Sequence, residues 1–150
     1  MKVFVISDTH FNHKKAIEWR PNFQTVQHMN LYMVAMWNQV VSANDLVYHC
    51  GDFSFGKFDA SLLNGKLIIL NGSHDDKKVW PTRLYLNYGG VGFCLTHEPF
   101  NTCGWNIHGH LHDKSPLWDI EHQRINVSVE NIGYRPMNLE TIARHIQRLC

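Results

Sequence analysis

No stretch of this 150-residue sequence approaches the roughly 18 consecutive apolar residues that a membrane span requires. The start, MKVFVISDTH, holds a short apolar run that Asp8 interrupts, and it has no small-residue cleavage site. A cytoplasmic protein with no membrane partner is therefore expected. Long basic runs are missing as well: the pairs Lys14-Lys15 and Lys77-Lys78 are the longest, and the net charge is +1. That excludes a dedicated duplex-binding protein and leaves nucleic acid only as a possible substrate. The four cysteines, at 50, 94, 103 and 150, include no C-x-x-C pair. Reduced, buried thiols fit this spacing better than a zinc knuckle or a disulfide framework. Repeats, low-complexity segments and linkers are absent, and nothing sets an oligomeric state.

A hydrophobic fraction of 44% is enough to give residues 1–150 one domain with a real core. Residues 3–6 form an apolar, β-branched run that reads as a buried strand ending at Ser7-Asp8. Val26, Met29, Met33, Met36, Trp37, Val40 and Val41 then recur at helical spacing, which predicts an amphipathic helix over about residues 25–42. Strands follow at 46–50 and 66–70, with a helical turn near 59–63 between them, so parallel pairing is expected. Residues 83–86 and 91–96 flank the turn Asn87-Tyr88-Gly89-Gly90, 105–108 is a further strand, and 118–121 with 124–129 read as another pair. A last helix over 139–149 has Asn138 as its N-cap.

Eleven histidines are the excess in this composition. Many of them fall where apolar strands stop: Asp8-Thr9-His10, Gly51-Asp52, Gly72-Ser73-His74-Asp75, Thr96-His97-Glu98 and His108-Gly109-His110. Singly, each has a bland reading as a cap, an Asx turn or a pair of surface histidines. Together they form a carboxylate and imidazole set suited to Mn, Fe, Zn or Ni. A buried aspartate costs several kcal/mol unless it is paired or coordinated, so a shared purpose is the economical reading.

In this order the motifs resemble those of the calcineurin-like metallophosphoesterases: Asp-x-His, Gly-Asp, Gly-Asn-His-Asp, a lone His and Gly-His-x-His. Ser7-Asp8-Thr9-His10-Phe11, Gly51-Asp52-Phe53-Ser54 and Gly133-Tyr134-Arg135-Pro136 are similar to a compact branch found in bacteria and phages. The resemblance implies an α/β fold, a metallophosphoesterase-type β-sandwich flanked by helices in a single cap-free domain. It implies two divalent cations, Mn foremost. Asp8, His10 and His110 would hold one, His97 and His108 the other, and Asp52 would bridge them. The implied reaction is hydrolysis of a phosphomonoester or phosphodiester by a metal-bridging hydroxide, on a small phosphorylated substrate. His74 would protonate the leaving group, with Asp75 orienting its imidazole, and Asn12 and His13 would reach the phosphate.

One position departs from the family pattern. Ser73 stands where the family has a metal-ligating asparagine, and its shorter, weaker donor implies a weakened second site. Arg20 and Arg135 read as structural or solvated, His49 as a packed histidine, and His28, His112, His122 and His145 receive no role. Loops at 11–24, 53–58 and 98–104 are left to set specificity. A nuclease of the same chemistry and a catalytically impaired interaction scaffold are the competing readings.

Overall fold

The structure, a computed structural model, describes residues 1–75 and 80–150. The Lys77-Lys78 pair lies outside the described residues. Strands β1 (Val3–Ile6), β2 (Leu46–His49) and β3 (Lys66–Ile69) pair in parallel, and the short β9 (Met137–Asn138) adds antiparallel to β1, giving the order β3-β2-β1-β9. A second sheet takes β4 (Arg83–Tyr88), β5 (Val91–Thr96), β6 (Trp105–His108), β7 (Trp118–Asp119) and β8 (Arg124–Asn126), in the order β4-β5-β6-β8-β7. Within it β5, β6 and β8 run parallel to one another, while β4 and β7 are antiparallel partners.

Alternation along β1 explains why all four of its residues are buried. Val3 and Val5 join Phe93, Leu95, Ile107 and Ile125 in a core between the sheets, and helix α3 (Leu139–Leu149) adds Leu139, Ile142, Ala143 and Ile146 to it. Phe4 and Ile6 face the other way, into a core closed by Met29, Met33 and Trp37 of helix α2 (Val26–Val40). The expected Asn138 cap forms, its Oδ1 accepting from Glu140 N at 2.8 Å, and Thr25 caps helix α2, its Oγ1 accepting from His28 N at 3.0 Å.

The sequence reading missed helix α1 (Ala16–Trp19), β9, and two single turns of 3-10 helix at His112–Lys114 and Val129–Asn131. These elements are too short for a periodic signal. Cysteine was half right: Cys50 and Cys94 are buried, whereas Cys103 and Cys150 are exposed. Among the described residues no helix is long and apolar enough to cross a membrane.

The sheets are stitched together at one end. Ser7, just past β1, donates its N–H to Val127 O at 2.9 Å and accepts from Val129 N at 3.1 Å. Because β1, β2 and β3 are mutually parallel, as are β5, β6 and β8, the carboxyl ends within each sheet share an edge. The stitch at Ser7 brings those two edges together.

Candidate metal centre

Asp8, His10, Asp52, His110 and His112 all have positive φ, between 50° and 67°. Non-glycine residues adopt that left-handed region at a cost of roughly 1–2 kcal/mol each, and such strain collects at functional sites. It turns the chain sharply at the strand ends and aims successive side chains at one point. Two glycines make the convergence possible. A Cβ on Gly109 would collide with the Asp8 carboxylate and the Ser7 side chain, and one on Gly72 would collide with Asp52.

Two sets of ligand atoms converge, each within 4.8 Å: Asp8 with His10 and His112, and Asp8 with Asp52 and His97. Asp52 Oδ2 spans them, 3.6 Å from His10 Nε2 and 3.4 Å from His97 Nε2. His110 borders the second set, its Nδ1 lying 3.2 Å from His97 Nε2. Asp8 Oδ1 and His10 Nε2 are buried, lie 3.7 Å apart and have no hydrogen-bond partner among the described residues. Buried lone pairs left unmet in this way, on carboxylate and imidazole atoms, fit a divalent cation.

The outer nitrogens fix which face each ring presents. His97 Nδ1 donates to Cys50 O at 2.9 Å, and His112 Nδ1 donates to Glu130 Oε1 at 2.9 Å. His10 Nδ1 meets His13 Nδ1 at 3.1 Å. In all three, Nε2 is left facing the carboxylates, the arrangement that orients a ligating imidazole. Glu130 is itself held by buried Arg20, whose Nη2 is 2.9 Å from Glu130 Oε1 and which also donates to the carbonyls of Asp8 and Thr9. Arg20 is therefore structural, and it is buried rather than solvated.

Charge follows from this packing. Burial alone would raise the Asp8 pKa, but the His10 imidazole beside it and the charges of His97 and His112 outweigh it and hold the carboxylate ionised. Burial works against a charged His97, yet Asp52 and Asp8 bring its pKa up to about 9. The His112 pKa is likewise raised against burial, by Glu130. Burial lowers the His13 pKa, and the nearby His10 and His74 lower it further.

Four expectations need correcting. The structure does not bring His108 into either ligand set: its Nδ1 donates to Gly109 O at 2.9 Å, and burial lowers its pKa. His112, given no role from sequence, stands beside Asp8 Oδ1 at 3.7 Å instead. The signal was present, since Gly109-His110-Leu111-His112 is itself a Gly-His-x-His, two residues later than the register read. Asp75 does not orient the His74 ring. Its carboxylate accepts from the amides of Asp52 at 2.7 Å, Gly72 at 2.8 Å and Phe53 at 3.3 Å, clasping the turns after β2 and β3. Asn12 has its side chain committed, donating to Lys57 O at 2.6 Å and accepting from Asn30 at 2.7 Å.

Ser73 is exposed, with Oγ 3.5 Å from His110 Nδ1, so it borders the second set. His74 is also exposed, and its backbone N–H donates to Asp52 Oδ1 at 2.9 Å. Its ring centroid lies 5.9 Å from that of His10 and 6.2 Å from that of His13. His49 is a packed histidine: Nδ1 accepts from Gly51 N at 3.1 Å, Nε2 meets Thr9 Oγ1 at 3.0 Å, and burial lowers its pKa to about 3.

Comparison with known proteins shows the family and the fold. The profile of the calcineurin-like phosphoesterase superfamily domain matches residues 1–127. An uncharacterised protein of Methanocaldococcus jannaschii is 38% identical over 98% of this chain and 92% of its own. A protein of unknown function from Aquifex aeolicus shares the fold at TM-score 0.74 and 23% identity, covering 99% of both chains. A predicted phosphoesterase from Streptococcus pneumoniae does so at TM-score 0.53 and 20% identity, over 87% of this chain and 72% of its own. The chain belongs to the calcineurin-like phosphoesterase superfamily, a family of metal-dependent phosphoric ester hydrolases.

Proposed function

We propose that this protein hydrolyses a small phosphomonoester or phosphodiester in the cytoplasm with two divalent cations, manganese foremost. Asp8, His10 and His112 would hold one. His97 and His110 would hold the other, and Asp52 would reach both. The pair of unpartnered buried atoms, Asp8 Oδ1 and His10 Nε2, carries the reading. When bound, the cations supply Lewis acidity toward the phosphoryl oxygens and lower the pKa of water.

The chain's own groups do the rest. Ionised Asp8 and Asp52 keep the site anionic enough to retain cations. The Asp75 clasp and the His74 N–H bond to Asp52 fix the turn that carries the His74 ring. From there an imidazole N–H can pass its proton to the oxygen of the departing alcohol. Ser73 offers the second cation a weaker donor than an asparagine amide, so that site binds less tightly.

The test is manganese-loaded protein assayed on p-nitrophenyl phosphate, bis-p-nitrophenyl phosphate and an alkyl ester. Turnover is expected, and His74→Ala should cost roughly 100-fold or more on the alkyl ester, whose alkoxide needs a proton. It should cost less on the nitrophenyl esters, whose anion departs unaided. Absence of metal-dependent turnover on all three overturns the proposal.

A further inference from the structure

Exposed aromatic side chains gather on one side of the metal centre. Trp19 is 43% exposed and Phe55 56% exposed, although both are large and apolar. With Asn12, His13, Lys14, Lys15 and His74 they line a cavity of about 800 Å³. The Phe55 and His13 rings stack at 4.9 Å and 13°. The Trp19 indole stands edge-on to His13 at 5.3 Å, to His10 at 5.9 Å and to His112 at 6.1 Å. Through Trp19 the cavity wall adjoins the His10 and His112 rings, and His74 is part of that wall. The lining comes from three separate segments of the chain, 12–19, Phe55 and His74.

We propose that this cavity receives the leaving group of the substrate and that the leaving group is a nucleoside, its base stacked on the Trp19 and Phe55 walls. The proposal rests on the phosphoesterase reading above. A small polar alcohol would leave two large aromatic faces in water beside the reaction centre, whereas a flat base covers them, and stacking of a base on an aromatic side chain is sequence-tolerant. Lys14 and Lys15 complement the phosphate charge on the same rim. In the reaction the phosphorus–oxygen bond to the nucleoside breaks and the oxygen of water bonds to phosphorus. The nucleoside hydroxyl keeps the proton that His74 delivers, and the proton lost by water leaves to solvent.

The experiment compares adenosine with ribose by calorimetry on manganese-loaded protein, then adenosine 5′-monophosphate with ribose 5-phosphate, and their methyl diesters, by kcat/KM. These pairs share the same leaving oxygen and differ only in the base. Adenosine is expected to bind roughly tenfold or more tightly than ribose, with a similar ratio in kcat/KM. Phe55→Ala and Trp19→Ala should each shrink that ratio, and Phe55→Ala touches no ligand ring except through His13. Equal binding of adenosine and ribose overturns the inference, even where p-nitrophenyl esters are turned over. A base preference that collapses in Phe55→Ala, with no ester hydrolysed, upholds the cavity assignment and defeats the hydrolytic reading instead.

Discussion

Left-handed backbone at Asp8, His10, Asp52, His110 and His112 means that the residues proposed to hold the cations include ones the chain holds under strain. Nearby side chains decide which of them can serve. His112→Ala should lower bound metal per chain in elemental analysis, whereas His108→Gln should leave it unchanged; the opposite pattern would restore the earlier register. Glu130→Gln keeps an acceptor for His112 Nδ1 but removes the charge, so it should weaken metal affinity by about 10-fold, read by manganese titration. His49, packed behind the ligand turns without joining either ligand set, supplies a pH test. Its native pKa, near 3, is depressed from 6.5, so the unfolded chain takes up the proton first as pH falls. Stability from this group is present above pH 6.5 and is lost toward pH 3, by up to roughly 1 kcal/mol per pH unit. Urea titrations of metal-free protein should therefore show His49→Gln losing less stability than wild type across that window.

At the scale of elements, the loops after β2 and β3 act as one unit because Asp75 binds amides on both. Asp75→Ala should cost about 2 kcal/mol in urea denaturation, the typical worth of hydrogen bonds to a charged acceptor that keeps some solvent access. Strands and long helices were legible in the sequence because burial on two faces writes a continuous apolar run and burial on one face writes a helical period. Helix α1 was not, since Ala16–Trp19 makes a single turn and its Trp19 points into the cavity wall rather than the core. The hairpin of β4 and β5 came out two residues longer on its first strand, as Asn87 and Tyr88 pair with Gly92 and Val91.

For the whole molecule, the proposed second cation draws on both sheets: Asp52 and Ser73 follow strands of the first, His97 and His110 strands of the second. Ser73→Asn restores the longer amide arm at this seam and should raise manganese stoichiometry toward two per chain, with faster turnover. Stoichiometry unchanged by the substitution would show that position 73 is not what limits the second site.

By itself the sequence determined the element order, the parallel pairing around β1, and the identity of most residues that meet at the strand ends, because apolar period and strand termination are local properties. Only the tertiary structure decided that His112 rather than His108 faces Asp8, that Asp75 and Asn12 are occupied by backbone and side-chain partners, and that Trp19 and Phe55 share a cavity with His74. The reason is geometric: side chains one strand residue or one left-handed turn apart point in different directions, and which of them meet depends on how two sheets are joined at Ser7.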